Sequence, residues 1–376
     1  MSGTTATRKV QLLDLKALHA PIRDEILAEV TRVIDAQSFI MGPDVKELEK
    51  EIAAYCQVPY AYGCANGSDA LFLALLAAGV GHGDRVLTTP FTFFATAGAI
   101  VRAGAVPVFA DIDPVTFNIC PDQVADVVRK CPRIKAMIPV HLFGGAANMD
   151  PLMKVAADRG LKVIEDGAQA IGAEYKGKRL MSIGDIGTIS FFPSKNLGGF
   201  GDGGAVTTND EGLAQRLAAL RVHGSKKKYY HEWVGVNSRL DTLQAAILRV
   251  KLRYLDKETA GRQKNADVWR TLLAGAGVTL PVVPEYTTRH VYNQFVIRSP
   301  KRDALKQHLA DNGVGTEIYY PLSMHEQQCF ANLGYRKGDF PESERAAADS
   351  LAIPVHSALP KEDMEYVAGL IRAFHA

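Results

Sequence analysis

The chain has 376 residues, of which 47% are hydrophobic and 22% are charged, so it can bury a large core and one or two further subdomains. Its 43 basic and 41 acidic residues leave a net charge of +2, which argues against a protein that binds nucleic acid or a membrane surface. Small molecules are therefore the expected partners. The start of the chain has no apolar signal segment, and no apolar run is long enough to span a bilayer, so we expect a cytoplasmic protein.

The five cysteines form an odd set without a Cys-x-x-Cys pair, which argues against a disulfide framework and a zinc site. Buried thiols are the expected state of all five. Glu165 and Asp166 are adjacent acids, but no histidine or third carboxylate stands at a diagnostic spacing from them. The sequence therefore predicts no metal site.

Helices and strands alternate along most of the chain. Two amphipathic helices are predicted over 21–36 and 44–56, the second with Asp44 as its N-cap. Between 60 and 250, short apolar runs rich in β-branched residues alternate with helix-length segments, which indicates a mostly parallel sheet covered on both faces. The predicted strands are 86–88, 107–110, 136–140, 162–165 and 186–192, and the predicted helices are 92–103, 121–131 and 150–159.

The C-terminal part of the chain has a different pattern. A long helical stretch over 239–274 is followed by predicted strands near 290–298 and 315–320 and predicted helices near 301–312 and 360–374. This order is typical of a smaller α+β domain. We therefore expect two domains, 1–250 with the N-terminal helices and the large α/β domain, and 251–376 with the small one.

A glycine and a hydroxyl residue precede an apolar helix in the run from Asn66 to Leu71. The free N–H groups and the positive end of such a helix can hold a phosphate, which makes Gly67 and Ser68 candidate phosphate ligands. Capping of the helix by Ser68 or Asp69 is the alternative interpretation.

Aromatic residues follow the strand that ends near Thr89. Phe93 is a candidate to cover one face of an aromatic ring, because flat partners favour offset stacking. Packing in the core is an equally good explanation of an aromatic residue here, and we expect it for Phe91 and Phe94.

Acidic residues end the strand over 162–165, at the edge of the sheet where open α/β folds bind ligands. Asp166 could pair with a protonated pyridine nitrogen and so keep a cofactor ring cationic. Gln169 could donate a hydrogen bond to a ring oxygen, although a glutamine at a helix start is often an ordinary surface group.

Lys195 stands between an apolar strand and the glycine-rich loop over 198–204. Glycines can take backbone angles that other residues avoid, so a bulky group could lie against this loop. A lysine removed from water has a lowered pKa and can bond to an aldehyde cofactor such as pyridoxal phosphate. A surface charge beside a flexible turn is the alternative, and this run alone leaves both open.

Several motifs together resemble the nucleotide-sugar aminotransferases of the DegT/DnrJ/EryC1/StrS family in order and spacing, over nearly the whole chain. The motifs are Asn66-Gly-Ser-Asp-Ala-Leu71, Phe109-Ala-Asp-Ile-Asp113, Glu165-Asp-Gly-Ala-Gln-Ala170, Ser190-Phe-Phe-Pro-Ser-Lys195 and Gly235-Val-Asn-Ser-Arg-Leu-Asp241. The resemblance implies an α/β protein of the type I aspartate-aminotransferase-like fold, with a large, mostly parallel sheet domain covered by helices and a smaller C-terminal α+β domain. It also implies pyridoxal phosphate as the cofactor and a homodimer with shared active sites.

The resemblance gives each matching residue a role. Lys195 would be the catalytic lysine that bonds to the cofactor and later carries protons. Asp166 would hold the pyridine nitrogen and Gln169 the ring oxygen. Asn237 would reach the phosphate from the other subunit, so the loop over 222–238 would cross the dimer interface. The remaining cofactor contacts would come from Gly67, Ser68, Phe93 and Ser190.

The reaction implied by the resemblance moves an amino group from L-glutamate to a keto group of a nucleotide-linked hexose, in amino-sugar biosynthesis for surface polysaccharide or glycosylated metabolites. The run over 226–230 is most similar to relatives that act on 3-keto sugars such as UDP-2-acetamido-3-keto-glucuronate. A dTDP-linked 3-keto- or 4-keto-6-deoxyhexose is the alternative substrate. A sugar dehydratase and a non-catalytic regulator are further alternatives; dehydratases of the family carry histidine where this chain has Lys195.

Five residues are candidates to bind the substrate. Lys226 could neutralise a diphosphate or a uronate carboxylate, or belong to a solvated basic loop. Arg239 could reach the substrate from the other subunit, or begin the following helix. Tyr319, Tyr320 and His325 match a segment near the sugar pocket of relatives, although a single histidine after a turn is as often structural.

Overall fold

A sheet of seven strands forms the centre of the computed structural model, which describes residues 8–131 and 133–376. In spatial order the strands are β1-β7-β6-β5-β4-β2-β3, and β7 is the one described strand of this sheet that runs antiparallel to its neighbours. In chain order β1 to β7 are Tyr60–Cys64, Arg85–Thr88, Val106–Phe109, Ile134–Met137, Lys162–Asp166, Ile186–Ser190 and Gly204–Thr208.

Helices cover both faces of the sheet, as the continuous apolar strands require. All five residues of β6 and of β7 are buried. One apolar cluster contains Leu48, Met137 and Leu248, and a second contains Leu71, Ile164 and Leu217. The helices of this part are Leu15–His19, Arg23–Ala36, Pro43–Cys56, Gly67–Ala77, Phe94–Arg102, Pro121–Lys130, Met149–Arg159, Glu211–Leu220 and Thr242–Leu252.

The parallel strands bring several chain segments to one edge of the sheet. Their carboxyl ends lie at that edge, so the residues that follow Cys64, Thr88, Met137, Asp166 and Ser190 meet there. The antiparallel strand β7 begins at this same edge. Ligands of open α/β sheets bind at this edge, which makes it the place to examine for a site.

The C-terminal part has its own core around Trp269, which is fully buried on the helix Leu255–Leu272. Its strands Phe295–Arg298 and Ser350–Ile353 pair antiparallel. The N-terminal residue Val10 also belongs to this core, because it pairs with Val314. The division of the chain at residue 250 stays a prediction. The remaining helices of this part are Arg302–Asp311, Pro341–Asp349 and Lys361–His375.

Short elements complete the described chain. One pair of two-residue strands follows β5 in the chain, and a second pair of short strands forms a hairpin in the loop before Thr242. These strands are Glu174–Tyr175 with Lys178–Arg179, and Ser225–Lys227 with Tyr230–His231. The 3₁₀ segments are Ala20–Ile22, Leu142–Gly144, Met324–Glu326 and Gln328–Leu333.

The long helical stretch predicted over 239–274 is present as two helices, because the first ends at Leu252 and the second begins at Leu255. The prediction of a strand over 315–320 is wrong; Glu317 makes a single bridge to Ala352, and Tyr320 has a φ of 60°, which breaks an extended run.

The prediction that Asp44 caps its helix is also wrong. Gly42 is the N-cap and Pro43 begins the helix. The carboxylate of Asp44 is buried and pairs with two arginines of other helices, Arg32 at 2.7 Å and Arg249 at 2.9 Å. These long-range ion pairs, which local sequence does not reveal, give Asp44 a different role.

The thiols differ more in exposure than expected. Cys56 and Cys64 are buried, but Cys120 and Cys131 are only half-buried and Cys329 is exposed. The expectation of uniformly buried cysteines is therefore wrong for three of the five. Among the residues that the structure describes, no helix has the length and apolar character needed to cross a membrane.

Candidate active site

A cavity of about 660 Å³ opens at the carboxyl edge of the sheet. It lies between the ends of β1, β4, β5 and β6 and the segment that contains Tyr320. This volume falls within the usual range for a site that holds a cofactor or substrate, which is roughly 300–1,000 Å³. Nine of the residues singled out from the sequence line it, namely Gly67, Ser68, Phe93, Asp166, Gln169, Ser190, Lys195, Tyr319 and Tyr320.

The amine of Lys195 is the nucleophile that the cavity offers. Lys195 follows β6 in a tight turn, in which its N–H donates to the carbonyl of Phe192 at 2.8 Å. Burial lowers the pKa of Lys195 to about 8, although the negative charge of Asp166 opposes the shift. A larger share of this amine is therefore neutral at physiological pH than of an ordinary lysine, as attack on a carbonyl requires.

Asp166 ends β5 with its carboxylate in the cavity and is 5% exposed. Burial raises its pKa, and two hydrogen bonds oppose the rise. The hydroxyl of Thr96 donates to Oδ2 at 2.8 Å, and the N–H of Ala168 donates to Oδ1 at 3.2 Å. The carboxylate thus keeps acceptor capacity for a cationic partner in the cavity.

The preceding residue, Glu165, faces the other side of β5, because successive side chains of a strand point to opposite faces. It is fully buried and accepts from His141 Nε2 at 2.9 Å and from the N–H groups of Met181, Ile183 and Gly184. Burial alone would raise its pKa, but these donors outweigh burial and lower it. Glu165 is therefore a structural anion, and its adjacent position does not make a metal site with Asp166.

The amide of Gln169 has a fixed orientation. Its Oε1 accepts from the N–H of Phe143 at 2.7 Å, so its Nε2 must face the cavity as a donor. Nε2 donates to the hydroxyl of Tyr320 at 2.9 Å. Burial raises the pKa of Tyr320, which keeps this phenol protonated. The pair presents hydrogen-bond donors to a ligand.

The start of the helix Gly67–Ala77 forms the other end of the cavity. Asn66 is its N-cap and accepts from the N–H of Asp69 at 2.8 Å, so the interpretation that Ser68 or Asp69 caps this helix is wrong. The hydroxyl of Ser68 is exposed at the helix start. A Cβ on Gly67 would lie 2.7 Å from the Cβ of Ser190, so a side chain at position 67 would fill this cradle.

The glycine-rich loop departs from expectation. None of the glycines over 198–204 has a positive φ, so unusual backbone angles do not explain them. They are needed where the chain packs on itself, since a Cβ on Gly204 would lie 2.6 Å from the backbone of Asn66 and one on Gly198 would lie 2.4 Å from the carbonyl of Pro193. The loop brings β7 against the start of the helix that begins at Gly67.

The three phenylalanines near Thr92 have three environments. Phe91 is fully buried, as predicted. Phe94 is 46% exposed and stacks on Phe330, so its prediction as a core residue is wrong. Phe93 is 60% exposed and lines the cavity, where its ring is available to a flat ligand.

Four predicted residues lie outside the cavity. Asn237 is exposed and pairs by its backbone with Val222. Lys226 lies in the nearby hairpin and forms an ion pair with Glu232 at 2.9 Å. Arg239 is partly buried and precedes the helix Thr242–Leu252, so the interpretation that it begins this helix is wrong.

His325, the fourth of these residues, is buried among other side chains of the C-terminal part of the chain. Its Nε2 hydrogen-bonds to Glu344 at 3.0 Å, and its ring packs against Phe340. This placement favours the structural interpretation of His325 over contact with a substrate.

The polar residues of the cavity that escaped the sequence analysis include Thr92, Thr96 and Arg102. The two threonines are four residues apart in the helix predicted over 92–103, a spacing that places them on one face and could have drawn attention to them. In the structure Thr92 precedes the N-cap Phe93. Arg102 pairs with Asp69 and stacks over the ring of Phe72 at 4.2 Å. Nothing in the local sequence indicates this contact between two helices.

Comparison with known proteins gives a match over residues 21–372 to the model of the DegT/DnrJ/EryC1/StrS aminotransferase family. A pleiotropic regulatory protein of Geobacillus stearothermophilus is 50% identical over 97% of this chain and 98% of its own length. The UDP-N-acetyl-3-dehydro-α-D-glucosamine 3-aminotransferase of Acidithiobacillus ferrooxidans is 42% identical over 98% of each chain. The UDP-2-acetamido-2-deoxy-3-oxo-D-glucuronate aminotransferase of Pseudomonas aeruginosa is 40% identical over 96% of this chain and 99% of its own.

A solved structure is similar to this chain over nearly its whole length. DesV of S. venezuelae, in complex with a ketimine intermediate, superposes with a TM-score of 0.95 at 39% identity and covers 98% of this chain and 99% of its own. The fold and the cavity thus define a pyridoxal-phosphate-dependent aminotransferase. The chain belongs to the DegT/DnrJ/EryC1/StrS aminotransferase family. The sequence predictions of family, fold class, enzyme class and cofactor are confirmed.

Proposed function

We propose that this protein transfers an amino group from L-glutamate to the 3-keto group of a UDP-linked sugar, with UDP-2-acetamido-3-keto-glucuronate as the preferred acceptor. The cavity at the carboxyl edge of the sheet carries the proposal, because it unites the amine of Lys195 with the carboxylate of Asp166. The cytoplasm is the proposed location.

The residues of the cavity fit pyridoxal phosphate. Lys195 offers an amine of lowered pKa to the aldehyde, and Asp166 offers a buried carboxylate to the ring nitrogen. The fixed amide of Gln169 offers a donor to the ring oxygen. Gly67, Ser68 and Ser190 form a cradle at a helix start, which suits a phosphate, and Phe93 offers an exposed ring face.

Bound pyridoxal phosphate supplies the electron sink that stabilises a carbanion at the substrate carbon. The protein supplies the proton carrier, since the Nζ of Lys195 takes the proton from the α-carbon of the donor and later gives one to the sugar carbon. Asp166 holds a positive charge at the ring nitrogen. Tyr319 and Tyr320 also line the cavity, and we propose that they contact the sugar.

The choice of sugar is supported by the relatives. The two aminotransferases from A. ferrooxidans and P. aeruginosa bear names that describe 3-keto UDP sugars as substrates. Arg239 and Lys226 are the cations proposed to meet the diphosphate or the carboxylate of the sugar. Lys226 is already paired with Glu232, so it would have to exchange this partner.

A panel of keto sugar nucleotides tests the substrate. We expect L-glutamate to bleach the yellow colour of the enzyme, and amine formation, measured by mass spectrometry, to be fastest with UDP-2-acetamido-3-keto-glucuronate. Faster reaction of a dTDP-linked 3-keto- or 4-keto-6-deoxyhexose would contradict the sugar assignment. Failure of L-glutamate to bleach the enzyme, together with no amine from any sugar, would favour the regulatory role that the name of the G. stearothermophilus relative suggests.

We further propose a homodimer in which Asn237 completes the active site of the partner subunit. Asn237 is exposed and lies outside the cavity of its own chain. The same loop carries Val234, which is 95% exposed, and Tyr229, which is 81% exposed. Apolar side chains this exposed suit burial by a second copy of the chain.

Complementation tests the shared site. Lys195→Ala and Asn237→Ala proteins should each have little activity alone. Mixed dimers of the two would contain one complete site and one doubly defective site, so an equal mixture should recover roughly a quarter of the normal activity. No recovery after subunit exchange, with exchange verified by differently tagged chains, would show that Asn237 acts within its own subunit. Full activity of Asn237→Ala alone would show that Asn237 has no role in the site.

A further inference from the structure

A pair of buried threonines lies beside the carboxylate of Asp166 in the wall of the cavity. Thr96 is fully buried and Thr92 is 1% exposed. Thr96 Oγ1 lies 2.8 Å from Asp166 Oδ2, and Thr92 Oγ1 lies 3.1 Å from Thr96 Oγ1. The three side chains thus form one hydrogen-bonded row in the wall of the cavity.

The chemistry of the groups fixes the direction of these hydrogen bonds. An ionised carboxylate can only accept, so Thr96 must donate its one hydroxyl hydrogen to Asp166. Thr92 must then donate to Thr96. Hydrogen bonds in such a row strengthen one another in a buried site, so Thr92 improves Thr96 as a donor.

The hydrogen bonds of this row counteract the destabilising effect of burial on the charged carboxylate of Asp166. Burial disfavours the charged carboxylate and raises its pKa, while the bond from Thr96 is the first of the effects that lower it. The other charged or titratable groups that act on Asp166 are Lys195, His141 and Tyr320. His141 already donates to Glu165, which leaves Thr96 as the side chain that hydrogen-bonds Asp166 within the described chain.

We propose that Thr96, supported by Thr92, is a positioning residue that keeps Asp166 ionised and aimed at the ring nitrogen of pyridoxal phosphate. The inference rests on the proposed role of Asp166 and holds whichever sugar accepts the amine. The proposal gives a function to Thr92 and Thr96, which lie near Phe93 in the sequence. Until this point only the ring of Phe93 had a function in this segment.

The affinity of the cofactor-free enzyme for pyridoxal phosphate is the measurement. Thr96→Val keeps the shape but removes the donor, and we expect it to raise the dissociation constant roughly ten-fold, as for loss of a hydrogen bond to a charged group. Thr96→Ser keeps the hydroxyl and should stay within about two-fold of the natural protein. Thr92→Val should have a smaller effect of about three-fold, because it acts through Thr96.

The pH profile separates positioning from a structural defect. Asp166 must be ionised, so affinity falls as the pH drops through its pKa. Loss of the Thr96 donor raises this pKa, which should move the acidic limb of the affinity profile of Thr96→Val to higher pH. Thr96→Ser should leave the acidic limb of the affinity profile at its natural pH. A merely structural defect would lower the unfolding temperature of the cofactor-free protein but would not move this acidic limb.

Asp166→Asn distinguishes the two ways in which the inference can fail. If Asp166→Asn weakens cofactor binding at least ten-fold but Thr96→Val matches the natural protein in affinity and pH profile, the role of the threonines is refuted. If Asp166→Asn also leaves affinity unchanged, the assignment of Asp166 falls and the proposal falls with it.

Discussion

Replacing Lys195 with alanine should abolish the covalent attachment of pyridoxal phosphate and lower kcat by about 10³-fold, since both the nucleophile and the proton carrier are lost. Reduction of the natural enzyme with borohydride, followed by peptide mapping, should place the cofactor on Lys195. Attachment of the cofactor to cofactor-free protein should accelerate as the pH rises through about 8, the pKa to which burial lowers this amine.

Lys251 is a matched control for this experiment. Burial also lowers its pKa to about 8, but it hydrogen-bonds to His19 at 3.0 Å and lies outside the cavity that contains Asp166. Lys251→Ala should therefore keep both the cofactor and most of the activity. Cofactor found on Lys251, or a yellow Lys195→Ala protein with reducible cofactor, would overturn the assignment. Comparison of the two lysine variants shows whether a lowered pKa is enough for a lysine to attach pyridoxal phosphate, or whether the neighbouring carboxylate of Asp166 is also required.

Glu165→Ala should lower the free energy of unfolding by about 3–5 kcal/mol, because it leaves the buried donors of His141, Met181, Ile183 and Gly184 without their acceptor. Urea denaturation of the cofactor-free protein measures the loss. Because the folded pKa of Glu165 is lowered, this stabilisation is complete above the ordinary pKa of about 4.5 and disappears as the pH falls through the folded pKa.

Asp166→Ala is the matched comparison, one residue away on the same strand. Within the described residues Asp166 accepts two hydrogen bonds, and burial raises its pKa, so its charge costs free energy in the cofactor-free protein. We expect its loss to change stability by less than about 1 kcal/mol while cofactor binding collapses. Equal losses of stability in the two variants would contradict the division of roles between these carboxylates.

The sheet could be predicted from the sequence because its strands are short, apolar and regularly spaced between helices. Predictions failed where contacts across the chain decide the outcome. Asp44 has the residue type of a helix cap, but ion pairs with Arg32 and Arg249 determine its position. Glu317 and Tyr320 belong to a run in which threonine, isoleucine and tyrosine favour a strand, yet the segment gains one bridge and then turns at Tyr320.

The same distinction applies to the site. Lys195, Asp166 and Ser68 were foreseeable because each follows a strand or opens a helix, where local sequence carries the signal. The contact of Thr96 with Asp166 was not foreseeable, since Asp166 lies 70 residues further along the chain. The glycine-rich loop was recognised but misread, because the requirement for Gly204 comes from the backbone of Asn66, which lies far away in sequence.

The pairing of Val10 with Val314 has a consequence for synthesis of the protein. About 300 residues separate the two, so this contact closes late and at a high cost in chain entropy. While the ribosome is still adding the C-terminal part, the segment around Val10 lacks its partner Val314. This segment should therefore stay accessible to protease until the chain around Val314 has emerged, and pulse proteolysis of stalled chains would measure when its protection begins.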